Sequence, residues 1–128
     1  MKMNKKYTES LNSEEKLIMV DAQTERPYSG LYNDFCEEGM FVCKACGFQL
    51  FVSDTKFNAN CGWPSFDDAM KGAILRRRDV SLGRIRTEIL CANCEGHLGH
   101  VFEGENYTEK NTRYCVNSLS LKFIANSL

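Results

Sequence analysis

Two Cys-x-x-Cys pairs, Cys43/Cys46 and Cys91/Cys94, constrain this chain more than any other feature. Two intervening residues let both thiols of a tight turn face one tetrahedral cation, so two such pairs supply the four sulfurs of a closed zinc shell. A fold that satisfies this spacing must bring two hairpins together that are distant along the chain. Each pair holds small or polar residues between its thiols and has a glycine soon after, Gly47 or Gly96, as a turn with amides aimed at sulfur requires. Such a shell is closed, binds no water and contributes folding energy outright. Iron in the same shell and a redox Cys-x-x-Cys are the competing readings.

The chain has seven cysteines, which leaves Cys36, Cys61 and Cys115 outside the metal set. An odd count argues against a secreted disulfide scaffold. So does the basic start Met1 to Tyr7, which leads into polar Thr8-Glu9-Ser10 where a secretory signal needs an apolar stretch. A cytoplasmic location is therefore expected. The net charge is -1, and the basic run Arg76-Arg77-Arg78 is offset by Asp67, Asp68 and Asp79, so nucleic acid is not an expected partner. No apolar run has the length of a membrane span. At 128 residues one domain is expected, acting as a monomer, with residues 1–12 as a flexible N-terminal extension.

Ser13 to Val20 carries a capping residue and an acidic first turn, which predicts a short helix. Ser65-Phe66-Asp67-Asp68 fits a capping box and predicts a second brief helix through Met70. Elsewhere period-two patterns dominate. Ala73 to Val80 and Arg84 to Cys91 read as a strand pair joined by Ser81-Leu82-Gly83, with Ile85, Thr87, Ile89 and Cys91 on one face of the second strand. Further strands are predicted at Met40 to Cys43, Gln49 to Val52, Val101 to Glu103 and Arg113 to Phe123. The fold class is mainly β: two antiparallel sheets, as an open barrel or sandwich, with small helices near the N-terminus and a four-cysteine zinc site.

On a strand from Arg113 to Phe123, Arg113, Cys115 and Asn117 share one face and continue into Leu119, Leu121 and Phe123. Arg113 favours a thiolate at Cys115, and Asn117 offers a donor and an acceptor beside it. A buried structural cysteine is the plainer reading of the triplet alone. The only histidines, His97 and His100, follow the second metal pair, and the only tryptophan, Trp63, stands two residues after Cys61. With four cysteines filling the metal shell, the histidines are free for acid or hydrogen-bonding roles. Trp63 is either core or a flat wall for a small apolar group.

Cys61-Gly62-Trp63-Pro64-Ser65-Phe66, Cys94-Glu95-Gly96-His97-Leu98-Gly99-His100-Val101-Phe102 and Arg113-Tyr114-Cys115-Val116-Asn117-Ser118 resemble the three signature segments of the B-type peptide-methionine sulfoxide reductases. The resemblance runs from about Thr24 to Phe123. It implies a two-sheet β fold with one structural zinc, and an enzyme selective for the R epimer of methionine sulfoxide in proteins. It makes Cys115 the catalytic and Cys61 the resolving cysteine, and puts Trp63, His97, His100, Arg113 and Asn117 at active-site positions, with Phe102 beside Trp63 on the substrate wall. The chain departs from the family pattern at Glu103-Gly104-Glu105-Asn106, where Asp-Gly-Pro is usual, and at Leu119, where a small residue is common.

The implied chemistry is attack of the Cys115 thiolate on sulfur, protonation of oxygen with help from His97 and His100, a Cys115 sulfenic acid, and a Cys61–Cys115 disulfide reopened by thioredoxin. Cys36 has no step in that cycle. A zinc-ribbon binding module explains the paired cysteines but gives no task to Cys61, Cys115 or the histidines. A cysteine hydrolase built on Cys115 and His100 has no use for Cys61.

Overall fold

A computed structural model describes residues 3–126. Two helices open the chain, α1 (Lys5–Thr8) and α2 (Ser13–Met19), followed by nine strands: β1 (Gly39–Cys43), β2 (Gln49–Val52), β3 (Lys56–Phe57), β4 (Ser65–Phe66), β5 (Ile74–Asp79), β6 (Arg86–Cys91), β7 (His97–Glu103), β8 (Thr112–Val116) and β9 (Leu121–Ala125). They form two antiparallel sheets, one in the order β2-β1-β9 and one in the order β3-β4-β8-β7-β6-β5. Among the described residues no helix is long and apolar enough to cross a membrane.

Between the sheets lies an aromatic core. Phe51 stacks on Phe66 with ring centroids 4.3 Å apart, and Phe41 meets Phe66 edge-on at 5.1 Å. Leu50, Ile89, Leu98 and Val116 fill the space around these rings. Helix α2 covers one end of the core with Ile18 and Met19; it is capped by Asn12, whose Oδ1 accepts from Glu15 N while Glu15 Oε1 accepts from Asn12 N. The residue expected to cap, Ser13, is the first helical residue instead. Within the segment expected as an extension, α1 forms a helical turn, Leu11 is buried and Tyr7 packs on the core.

Three local expectations are corrected by tertiary pairing. Ser65–Phe66 is a strand and not a helix start, because it is sandwiched between β3 and β8, where the Phe66 ring is fully buried. The expected strand from Arg113 to Phe123 is two strands in different sheets: β8 ends at Val116, Ser118–Ser120 makes one 3-10 turn, and β9 pairs with β1. Its alternation is continuous in sequence, but Leu121 and Phe123 serve the other sheet. The β5–β6 pair has the expected register partners, Ile74 opposite Cys91 and Asp79 opposite Arg86. Its connection is longer than the predicted three residues, however, with both Leu82 (φ 56) and Gly83 (φ 69) left-handed. Ile85 consequently falls outside the strand and faces solvent, away from the core.

Candidate active site

The four paired cysteines meet where the two sheets touch. Cys43 ends β1 and Cys91 ends β6, and the two knuckles are built alike: Gly47 N donates to Cys43 O and Glu95 N to Cys91 O, both at 2.8 Å. The residue four after the first cysteine is left-handed in each, Gly47 at φ 80 and Glu95 at φ 63. In the second knuckle the left-handed residue is therefore not its glycine. All four sulfurs lie within 4.8 Å of one another, with Cys43 to Cys94 and Cys46 to Cys91 at 3.6 Å. A regular tetrahedron with metal–sulfur bonds of about 2.3 Å has edges of about 3.8 Å, so this cage fits one tetrahedral ion. Within the cage the hydrogen bonds from Cys43 and Cys94 pull the Cys91 thiol below the usual range, and the contact with Cys91 pushes Cys43 up.

A second, separate sulfur site lies on β8 of the larger sheet. There Cys115 pairs with His100 of β7 on one side and with Ser65 of β4 on the other. Cys61, on the loop before β4, puts its sulfur 3.5 Å from Ser65 Oγ and within hydrogen-bonding reach of the Cys115 thiol. Both cysteines line one cavity of about 290 Å³, shared with Trp63, His100, Phe102 and Arg113. Cys36 is exposed and lies outside it.

Arg113 is the electrostatic centre of this cavity. Its Nη1 points at Cys61 Sγ at 3.4 Å, its Nε donates to Glu105 Oε1 at 2.8 Å and its Nη2 to Glu105 Oε2 at 3.3 Å, and its guanidinium lies over the Phe102 ring at 4.6 Å from the centroid. The Cys61 thiol is pushed down to about 5, chiefly by the hydrogen bond from Cys115 and further by Ser65, a backbone hydrogen bond at Trp63 and the charge of Arg113, against the opposing effect of burial. Cys115 is pushed up by that same hydrogen bond and by burial. The contact between the two sulfurs thus favours an anion on Cys61 over one on Cys115. Arg113 stabilises the negative charge on either sulfur.

Both histidines are buried and oriented by acidic partners that the sequence pattern did not single out. His100 Nε2 is 2.7 Å from Asp79 Oδ2, which leaves Nδ1 for other partners; burial lowers its basicity, so the neutral ring prevails near pH 7. His97 Nδ1 is 2.6 Å from Glu88 Oε2, and its Nε2 has no hydrogen-bond partner among the described residues. His97 lies behind His100, with ring centroids 5.6 Å apart, and does not line the cavity. Asp79 and Glu88 carry a signal only in the register, opposite Arg86 and His100 respectively.

Asn117 stands at the cavity edge, beyond the end of β8 and off the strand face expected for it. Its Oδ1 accepts from Glu25 N and its Nδ2 donates to Leu98 O, both at 3.0 Å, so the amide is committed to the backbone. The buried carboxylate of Glu25 in turn accepts from Ser118 N (2.9 Å) and Leu119 N (3.0 Å), and its carbonyl accepts from Trp63 Nε1 at 3.0 Å. Glu25, which no motif marks, thus ties the tryptophan wall to the break after β8. Leu119 meets this clamp through its backbone. The loop that departs from the family pattern is closed by Gly104 N to Asn111 O (3.1 Å) and Asn106 N to Asn111 Oδ1 (2.8 Å), and it delivers Glu105 to Arg113.

Sequence comparison matches the SelR domain to residues 11–125. A peptide methionine sulfoxide reductase MsrB of Agrobacterium fabrum is 47% identical over 118 residues, covering 91% of this chain and 87% of the relative. A reductase of the same name from Variovorax paradoxus is 52% identical over 103 residues, covering 80% and 75%. Peptide methionine sulfoxide reductase B5 of Arabidopsis thaliana is 46% identical over 123 residues, covering 95% and 87%.

Proposed function

Since the chain belongs to the SelR family of peptide methionine sulfoxide reductases, an oxidoreductase family, we propose that it reduces the R epimer of methionine sulfoxide in proteins with Cys115 as nucleophile and Cys61 as the resolving thiol. The observation that carries this reading is the sharing of one small cavity by two non-metal thiols and the Arg113 guanidinium.

In the cycle, Cys115 passes its proton to the His100 ring and its sulfur bonds to the sulfoxide sulfur. The oxygen takes up a proton relayed by His100, with His97 behind it. Oxygen passes to Cys115 and methionine leaves; two electrons have moved from thiol to sulfoxide, and Cys115 is a sulfenic acid. The Cys61 thiolate then attacks the Cys115 sulfur, an S–S bond forms, and the hydroxyl departs with one proton as water. The depressed Cys61 thiol suits this second step, because a thiolate is the attacking species. An external dithiol protein of the thioredoxin kind reopens the disulfide.

Asp79 and Glu88 hold the histidine rings, Glu105 aims Arg113, and Asn117 with Glu25 fixes the backbone beside Cys115 and Trp63. Trp63 and Phe102 form the wall for the ε-methyl group, which distinguishes it from the rest of the side chain. The Cys43, Cys46, Cys91 and Cys94 cage holds a structural zinc that joins the two sheets and stays outside the chemistry. The protein works in the cytoplasm as a monomer.

The test is incubation with separated R- and S-sulfoxide peptides plus dithiothreitol. Methionine from the R epimer alone is the expected product; reduction of the S epimer, or of neither, refutes the proposal.

A further inference from the structure

The six-residue connection from β5 to β6 places Leu82 and Arg84 on the catalytic cavity and leaves an apolar surface in solvent. Val80, Leu82 and Ile85 are 62%, 80% and 72% exposed, and Leu82 lines the cavity mouth from a left-handed backbone position (φ 56) uncommon for a residue other than glycine. The cavity wall carries three guanidinium groups, Arg84, Arg86 and Arg113, and no carboxylate. Arg86 faces Asp79 at 3.5 Å and Arg113 is held by Glu105, whereas Arg84 has no ion-pair partner among the described residues.

At about 290 Å³ the cavity has room for one side chain, at the small end of ligand pockets. A polypeptide that inserts an oxidised methionine must therefore lay its neighbouring residues across the rim. We propose that the β5–β6 turn is the docking rim for the substrate polypeptide, and that it selects segments in which an acidic side chain adjoins the methionine sulfoxide and reaches Arg84 while an apolar side chain rests on Leu82. This deepens the reductase reading and rests on it. The unpaired charge sets the sign of the preference, and the exposed leucine supplies affinity that does not depend on sign.

The experiment uses the full chain, dithiothreitol, and two R-sulfoxide peptides of equal length, one with aspartate on both sides of the oxidised methionine and one with lysine. The expected kcat/KM ratio at low salt is about threefold to fivefold in favour of the aspartate peptide, the scale of an exposed ion pair. It should approach unity at about 1 M salt, where screening acts within about 3 Å. Arg84→Glu should invert the ratio, and Leu82→Ser should raise KM for both peptides with kcat retained. Both residues are exposed, so neither substitution removes a core group. A wild-type ratio of one with both peptides reduced, or a ratio unmoved by Arg84→Glu, overturns the docking rim and leaves the reductase activity standing. Reduction of neither peptide overturns the activity and the rim together.

Discussion

Replacing Gly99 by alanine places a methyl group where β7 and β8 touch backbone to backbone. A Cβ at residue 99 would lie 1.9 Å from Cys115 O, 3.0 Å from Cys115 C and 3.1 Å from Val116 Cα. Cβ contacts below 3.0 Å essentially do not occur, so β8 must retreat by about 1.1 Å, the shortfall from 1.9 to 3.0 Å. The obstructing atom is main chain, and β8 is held on its far side by β4 and by Val116 N donating to Pro64 O at 3.0 Å. Retreat therefore presses on the Phe51–Phe66 stack and carries the Cys115 sulfur with it. Overpacking of this kind costs about 1–3 kcal/mol, and a misplacement of about 1 Å at a reacting group costs about a hundredfold in rate. We expect Gly99→Ala to lower the urea midpoint at unchanged m-value. We also expect the first turnover, measured without a recycling reductant on protein shown to be folded by circular dichroism, to slow by about two orders of magnitude. A variant with wild-type stability and a first turnover within twofold of wild type would refute the claim that this backbone contact sets the position of Cys115.

Cys115→Ser should abolish methionine formation, whereas Cys61→Ser should release about one methionine per enzyme and then stall with thioredoxin as sole reductant; loss of the first turnover in both would end the division of labour. Alkylation at Cys61, followed by mass spectrometry across pH, should show a midpoint of about 5, because its anion is stabilised by the donated Cys115 proton and by Arg113. In Cys115→Ala, with that donor gone, the midpoint should move upward toward the ordinary thiol range of about 8.5; an unmoved midpoint would contradict the shared proton. Metal analysis should give one zinc per chain in wild type and in both active-site variants, and chelation should produce cooperative unfolding, since an ion in this cage would clip β1 to β6. Glu25→Ala should destabilise by about 2–4 kcal/mol on thermal or chemical melts, because two buried backbone donors, at residues 118 and 119, lose a charged acceptor.

The parts of this protein that local chemistry dictates were readable from the chain alone. Each knuckle is a turn of a few residues, so the spacing of Cys43 and Cys46, or of Cys91 and Cys94, already implies a shared ligand geometry. The strands expected at Gln49 to Val52 and Met40 to Cys43, the second longer by Gly39 in the fold, and the β5–β6 pairing followed from alternation. The helix expected at Ser65 fails for the converse reason: a capping pattern counts local hydrogen bonds, and two flanking strands with a buried Phe66 outweigh them. The long strand expected from Arg113 fails because alternation continues across Asn117 and cannot tell which sheet receives each half.

The sequence by itself separated the sulfurs into four at metal-ligand spacing and three outside it, because thiol spacing and the rare residues around it are properties of short segments. Tertiary structure alone decided which carboxylate orients each histidine, that Cys61 and Cys115 share one cavity with Arg113, that Asn117 is spent on backbone, and that Glu25 anchors Trp63. Those facts arise from groups far apart in sequence, from position 25 against 117 to 79 against 100. Their interaction depends on distances of about 3 Å and on exclusion of water, and neither exists until the two sheets close on their core.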